Sequence, residues 1–242
     1  MAEIVLVHGG WHGGWCWRPV ADRLRTEGHT VYAPSLTGLA DRSHLLGPDV
    51  GLETHIADIR YLVEWEDLTD VVLVGHSYGG FVTTCVADRI PRRIGALVYL
   101  DAFVPEPGTC IADNLSQERL ELARTEAQKR GGGWRVPPPD ADLWTDDRGL
   151  RDWINARTTD HPLRAFEDAL TLATDWERVV RKMYIQAERH SETRFRDISR
   201  KYELDPNWTV HRLPTFHDAM LTMPDETARL IHSAVPDRSS AQ

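Results

Sequence analysis

Short, nearly continuous runs of apolar residues alternate with segments of helical periodicity in the first hundred residues. The apolar runs are EIVLVHG (3–9), TVYAPSL (30–36), DVVLVGHS (70–77) and IGALVYLDAF (94–103). Apolar side chains at helical spacing mark the segments between them, at residues 19–28, 51–68 and 78–91. Runs without polar alternation are typical of parallel strands that are covered on both faces. This part of the chain therefore predicts a βαβ architecture around a parallel sheet.

The alternation stops after residue 104. Helix-like pieces at 116–130 and 161–173 flank a loop rich in glycine and proline, and no strand pattern stands out among them. We therefore predict that residues 105–182 form a helical insertion after the fourth strand.

Strand patterns return in the last quarter of the chain, at residues 182–188 and 208–213, and a helical pattern follows at 224–235. The simplest organisation is one α/β domain. Its core is predicted to comprise residues 1–104 and 183–242, on either side of the insertion.

Composition narrows the partners and the location. Of the 242 residues, 41% are hydrophobic and 27% are charged, as in ordinary globular proteins, and the formal net charge is −9. A negative chain without basic clusters argues against nucleic acid or an anionic membrane as the main partner. No window approaches a membrane span, and the start MAEIVLVHGG does not resemble a signal peptide. With three scattered cysteines, Cys16, Cys85 and Cys110, these features predict a cytoplasmic protein with reduced thiols.

The third apolar run leads into the turn Gly75-His76-Ser77-Tyr78-Gly79. A nucleophile elbow needs a strand before the serine, a helix after it and small residues two positions to either side, because the turn is tight. All three conditions hold around Ser77, which is the predicted nucleophile. The alternative is a serine that merely caps the following helix.

A serine nucleophile of this type needs an oxyanion hole made from two backbone N–H groups. One comes from the residue after the nucleophile, Tyr78. The other comes from the loop after the first strand, HGGWHGG (8–14), where we expect Gly10 to be the donor. The glycines of this loop could alternatively mark only a tight turn.

Eleven histidines are candidates for the base. An elbow fold places its histidine on the loop after the last strand. His217, in WTVHRLPTFHDAM (208–220), has that position, whereas His211 lies inside the predicted strand. We therefore predict His217 as the base.

Six segments of the chain resemble the α/β-hydrolase superfamily: VLVHGGWHGGWCW, VYAPSLTGLADRSHLL, VGLETHI, VLVGHSYGG, VYLDAFVP and HDAM. Within it they are similar to the compact branch of plant methylesterases, hydroxynitrile lyases and bacterial esterases. The resemblance covers residues 3–104 and 182–235. It implies an α/β-hydrolase fold with a mostly parallel sheet, flanking helices and an inserted cap over the active site.

Esterases and lyases of this branch differ at two positions. Hydroxynitrile lyases carry a threonine in the loop after the first strand and a lysine directly after the catalytic histidine. Here those positions are Gly9 and Asp218. Because a carboxylate beside the histidine would repel cyanide, the residues disfavour a lyase of this type.

The triad acid is the point at which the chain departs from the family pattern. The family places an aspartate after the strand that follows the cap, where this chain has AERHSE (187–192), with His190 at about the usual acid position. Glu188 is the carboxylate nearest that strand end. The alternative is Asp101, at the end of the strand after the elbow helix, where haloalkane dehalogenases of the same superfamily carry their acid. A buried aspartate there needs a partner, and a histidine N–H would supply one, so we favour Asp101 over Glu188.

Together these features predict a serine carboxylesterase with a Ser77-His217-Asp101 triad, acting on a small-to-medium apolar or aromatic ester such as a methyl ester or lactone. No cofactor is implied, because there is no dinucleotide fingerprint and no cluster with metal-ligand spacing. Two alternatives stay open: a cofactor-free lyase, C–C hydrolase or oxygenase on the same scaffold, and a non-catalytic ligand receptor. The sequence leaves a homodimer open as well.

Overall fold

A computed structural model describes residues 1–236 and centres on a six-stranded sheet whose neighbouring strands all run parallel. The last six residues of the predicted core, 237–242, lie outside the described residues. The described residues form eight strands: β1 (Glu3–Val7), β2 (Thr30–Tyr32), β3 (Val71–His76), β4 (Ile94–Leu100), β5 (Arg135–Val136), β6 (His161–Pro162), β7 (Arg181–Ala187) and β8 (Trp208–Leu213). Of these, β5 and β6 pair with each other, antiparallel and apart from the main sheet.

The strand order in the sheet is β2-β1-β3-β4-β7-β8. The chain leaves β1 towards β2 on one side and then crosses to β3 on the other side. The order therefore reverses between β1 and β3, and at such a point the loops that leave the carboxyl ends of the strands diverge and open a crevice. The fold thus brings the loop after β1 and the serine turn after β3 to the same edge.

The described chain also forms nine α-helices. They are α1 (Arg18–Thr26), α2 (Leu52–Trp65), α3 (Gly79–Arg89), α4 (Gln117–Arg130), α5 (Arg148–Asn155), α6 (Arg164–Glu167), α7 (Thr193–Glu203), α8 (Ala219–Thr222) and α9 (Pro224–Ser233). None of the helices formed by residues 1–236 is both long enough and apolar enough to cross a bilayer.

The strands send successive side chains into two separate hydrophobic layers. In β1, Ile4 and Leu6 join the layer that contains α1 and α9, whereas Val5 and Val7 join the layer that contains α2 and α3. All four side chains are fully buried. Because both faces of the sheet are covered, the strands can be apolar at every position, and the predicted parallel sheet with flanking helices is confirmed.

The structure of the segment between β4 and β7 agrees only in part with the elements predicted from the sequence. The helix predicted at 116–130 is confirmed as α4, but the helix predicted at 161–173 is wrong apart from the single turn of α6. Its first two residues instead form β6, in a segment where no strand was predicted. Two-residue strands are too short to produce a periodic pattern, so sequence periodicity could not reveal them. The limits of the core and insertion stay predictions.

Candidate active site

Ser77 lies in the turn between the last residue of β3 and the first turn of α3. Its φ is 52°, in the left-handed region, although it is not a glycine. Its carbonyl oxygen accepts hydrogen bonds from the backbone N–H groups of Gly80 (3.1 Å) and Phe103 (3.2 Å). These bonds hold a strained backbone conformation of the kind that clusters at functional sites.

The positions around Ser77 require glycine because there is no room for a Cβ atom. A Cβ atom on Gly75 would lie 2.6 Å from Oγ1 of Thr83, and one on Gly79 would lie 2.7 Å from the carbonyl oxygen of Val7. At Gly80 it would overlap the carbonyl oxygen of Phe103. The turn is therefore packed against the backbone of both neighbouring loops, which fits a nucleophile elbow.

We expect Gly80→Ala to lower the free energy of unfolding by about 3 kcal/mol, because the new methyl group meets backbone that cannot move aside. Gly47→Ala is the matched control, since no atom lies within 4 Å of its Cβ position, and its effect should stay within about 0.5 kcal/mol. Urea unfolding followed by tryptophan fluorescence measures both values. Equal stability of the two variants would contradict the packing argument.

Asp101 and His217 meet at the end of β4. Nδ1 of His217 lies 2.7 Å from Oδ2 of Asp101, and the backbone N–H of Ala187 donates to Oδ1 at 3.2 Å. Asp101 is fully buried and His217 is buried as well. Glu188, the alternative acid, is exposed. The structure thus brings Asp101 to the predicted base and leaves Glu188 at the surface.

A carboxylate is only an acceptor, so Nδ1 of His217 carries the proton and Nε2 keeps its lone pair. Burial lowers the pKa of His217 well below its usual value, and the neighbouring His190 lowers it further. A neutral imidazole with a free Nε2 is the form that a general base requires.

A second histidine, His190, shares the same acceptor. Its Nδ1 also lies 2.7 Å from Oδ2 of Asp101, and its ring centre is 4.2 Å from that of His217. The sequence placed His190 near the usual acid position but assigned it no role. Only the fold could show the contact, because 89 positions separate the two partners.

The two predicted oxyanion donors, Gly10 and Tyr78, line the same cavity as Ser77. Among the described residues, the backbone N–H groups of Gly10 and Tyr78 donate no hydrogen bond to the protein. Nε2 of His55 donates to the carbonyl of Thr37, so Nδ1 of that ring accepts the hydrogen bond from the side-chain hydroxyl of Tyr78 at 2.7 Å. The backbone N–H groups of Gly10 and Tyr78 are therefore available to a ligand.

His12 fixes the loop that carries Gly10. Its Nδ1 lies 2.8 Å from the Gly10 carbonyl and its Nε2 lies 3.0 Å from a carboxylate oxygen of Asp218. Both partners are acceptors, so the ring must be protonated at both nitrogens. Burial lowers the pKa of His12, but Asp218 and the Gly10 carbonyl together outweigh burial and leave the pKa raised. A buried ion pair thus links the Gly10 loop to the residue that follows His217.

The cavity above Ser77 has a volume of about 690 Å³. Its wall combines residues of the core loops with residues of the segment between β4 and β7, and aromatic side chains contribute much of it. They are Trp11, Tyr78, Phe103, Trp144, Phe166 and Phe195. His217 and His190 line the same cavity as Ser77. A space of this character suits a ligand with an apolar or aromatic part.

Two groups of three side chains in the described chain have ligating atoms close enough to surround an ion, although neither has a sequence spacing that suggests it. One is Asp101 with His190 and His217, where both Nδ1–H groups already point at the carboxylate. The other combines Glu27, His29 and His232. There Nδ1 of His29 accepts the backbone N–H of Ala2, so its Nε2 carries a proton towards His232. In both groups the ring nitrogens that face the other members already make hydrogen bonds or ion pairs with them.

The chain is similar to known proteins in both sequence and fold. A model described as the alpha/beta hydrolase family matches residues 4–230. The Carbendazim hydrolyzing esterase of Nocardioides sp. (strain SG-4G) is 43% identical over 94% of this chain and 97% of its own length. Methylesterase 10 of Arabidopsis thaliana is 34% identical over 43% of this chain and 38% of its own length. An extracellular alpha/beta-hydrolase from a Paenibacillus species superposes with a TM-score of 0.85 and 23% identity, over 98% of this chain and 100% of that one.

Proposed function

The chain belongs to the alpha/beta hydrolase family, and on that premise we propose that it is a serine carboxylesterase whose triad is Ser77, His217 and Asp101. The observation that carries the proposal is the hydrogen bond of 2.7 Å between the fully buried Asp101 and His217, which lines the same cavity as Ser77. The named esterase that is 43% identical over most of both chains supports the same reaction class.

In the first half of the reaction, Nε2 of His217 takes the proton of the Ser77 hydroxyl as the oxygen attacks the ester carbonyl carbon. The carbonyl oxygen becomes negatively charged and accepts hydrogen bonds from the N–H groups of Gly10 and Tyr78. Asp101 stabilises the imidazolium that forms. The tetrahedral intermediate then expels the alcohol, which receives its proton from His217, and an acyl-enzyme remains.

In the second half, a water molecule takes the place of the alcohol. His217 removes a proton from this water as it attacks the acyl carbon, and the same two N–H groups hold the second oxyanion. Collapse of this intermediate breaks the bond to Ser77 and returns the proton to its oxygen. The products are a carboxylic acid and an alcohol, and no cofactor takes part.

For the substrate, we propose a small-to-medium ester with an apolar or aromatic part, and methyl esters in particular. The aromatic wall and the volume of about 690 Å³ favour such a group over a sugar or a peptide. Two relatives are called Carbendazim hydrolyzing esterase and Methylesterase 10, so carbendazim and aromatic methyl esters head the panel to be tested.

The test of the nucleophile is covalent labelling. We expect a fluorophosphonate probe to label the wild-type protein with one phosphonyl group at Ser77, as read by intact-mass and peptide mass spectrometry. Ser77→Ala should lose both the label and the hydrolysis of p-nitrophenyl acetate, because no other group takes over the attack.

Ser43→Ala serves as the matched control, since Ser43 is an exposed serine outside the cavity, and it should label like the wild type. Wild-type protein that is folded but neither labelled nor active on any ester would contradict the esterase proposal. That result would favour a ligand receptor. Labelling without turnover of any ester would favour another reaction at the same serine.

A further inference from the structure

A single oxygen atom of Asp101, Oδ2, accepts hydrogen bonds from two histidines. Nδ1 of His190 and Nδ1 of His217 each lie 2.7 Å from Oδ2, while Oδ1 accepts the backbone N–H of Ala187 at 3.2 Å. The carboxylate, which has no exposed surface, therefore accepts three N–H groups. A triad of the ordinary kind needs only one of these two imidazoles.

The two rings are held as a pair. Their centres are 4.2 Å apart with an angle of 34° between their planes. The ring of Phe195 stacks on both, at 5.3 Å from each and with angles of 25° to His190 and 24° to His217. Phe195 therefore limits the rotation of either imidazole, and the shared hydrogen bonds to Asp101 are a fixed feature of the site.

The proton positions follow from the acceptor. Because the carboxylate can only accept, both Nδ1 atoms carry a proton and both Nε2 atoms are directed away from Asp101. Oδ2 then accepts two hydrogen bonds, so its negative charge is shared between two donors rather than directed at His217 alone. When His217 takes the serine proton and becomes an imidazolium, it is stabilised by a carboxylate that already serves a second hydrogen bond.

We propose that His190 is a positioning residue for the triad: by donating to the oxygen that His217 uses, it fixes the Asp101 carboxylate and makes His217 a weaker base. This proposal rests on the triad proposed above. Its consequence is that the neutral, active form of His217 persists to lower pH than it would beside an unshared carboxylate.

The charges around His217 have opposing effects. The ionisable groups that face it are Asp101, His190, Asp218, His76, His12 and Arg119. Burial and His190 lower the pKa of His217, Asp218 raises it, and His12 and Arg119 lower it. Asp218 is itself paired with His12, so its attraction for a proton on His217 is partly cancelled. His190 is the group in this set that also touches the triad acid.

Three variants separate the roles of the ring. Asn places an N–H donor where the Nδ1 of histidine lies, so His190→Asn keeps the hydrogen bond to Asp101. His190→Gln places its amide where Nε2 lies and His190→Ala removes all donors, so both release Oδ2 to His217 alone. The pKa of His217 is measured in each by NMR titration of its imidazole, which needs no substrate.

We expect His190→Ala and His190→Gln to raise the pKa of His217 by about one unit and His190→Asn to restore it close to the wild-type value. The acid limb of kcat/KM for p-nitrophenyl acetate should move upward by the same amount in the first two variants. Circular dichroism checks that all three are folded.

The proposal would be overturned if the pKa of His217 were unchanged or lower in His190→Ala. It would also be overturned if the pKa of His217 were raised as much in His190→Asn as in His190→Ala. Because the titration reads the imidazole directly, this outcome differs from failure of the esterase proposal. In that case the wild-type protein neither labels nor turns over esters, while the pKa of His217 still responds to position 190.

Discussion

Asp101→Asn is expected to fold and to lose about 10⁴-fold in kcat for p-nitrophenyl acetate. The reason is the hydrogen-bonding capacity of the amide that replaces the carboxylate. The backbone N–H of Ala187 requires an acceptor at the Oδ1 position, so the amide oxygen turns there and the NH₂ group faces His217 and His190. Both rings must then accept at Nδ1, which moves their protons to Nε2. A His217 protonated at Nε2 cannot take the proton of Ser77.

Glu188→Gln is the matched control for this prediction. It also converts a carboxylate to an amide, but at an exposed position on the loop after β7, and kcat should stay within about twofold. The pair of variants is compared at saturating substrate, with folding checked by circular dichroism and thermal unfolding. Near-normal turnover in Asp101→Asn together with a large loss in Glu188→Gln would move the acid to Glu188.

The sequence could predict the sheet because each strand is buried on both faces. The same physical constraint that fills β1 and β3 with valine, leucine and isoleucine makes them visible as apolar runs. Ser77 was predictable for a related reason, since the tight turn excludes side chains at Gly75 and Gly79 and therefore leaves a fixed local pattern.

The partners of the candidate site were less accessible to sequence reasoning. His12 and Asp218 are 206 positions apart, and their ion pair leaves no local pattern in either loop. His190 was visible only as a departure from the usual acid position. Its contact with Asp101 depends on how β4 and β7 lie side by side in the sheet. A cytoplasmic location and a homodimer stay predictions.

Acid conditions are expected to unfold the protein through its buried neutral histidines. Five of them are buried and have a pKa that burial lowers strongly: His8, His55, His76, His161 and His217. The pKa of His8 falls to about 3 and that of His55 to about 4. The unfolded chain binds protons on these side chains near pH 6.5, so under acid conditions it carries more protons than the folded protein.

Hydrogen bonding leads independently to the same protonation states. His8 donates Nδ1–H to the Gly9 carbonyl and accepts the backbone N–H of Leu36 at Nε2, so a second proton would break a bond. His55 likewise donates to a backbone carbonyl and accepts a hydroxyl proton. His76 and His161 each contact one carbonyl, while the other nitrogen is buried without a hydrogen-bond partner among the described residues.

The contribution of these five groups to stability is intact above pH 6.5 and is lost as the pH falls from 6.5 towards their folded-state pKa values. At pH 5.5 each group lowers the free energy of unfolding by about 1.4 kcal/mol, or about 7 kcal/mol together, which rivals the whole stability of a typical domain. The raised pKa of His12 adds stability as the pH falls towards 6.5, and it offsets none of the loss below pH 6.5 because its contribution is complete there. The lowered pKa of Asp218 matters only at still lower pH.

Urea unfolding at pH 7.5, 6.5 and 5.5 measures this loss, and His161→Phe tests its cause. The His161 ring stacks on Phe166 at 4.3 Å and 4°, so phenylalanine should fit the site and remove one titrating group. We expect its free energy of unfolding to fall by about a fifth less than that of the wild type between pH 6.5 and 5.5. If the free energy of unfolding were constant over this range, or if His161→Phe lost as much of it as the wild type, the buried imidazoles would not be the cause of unfolding in acid.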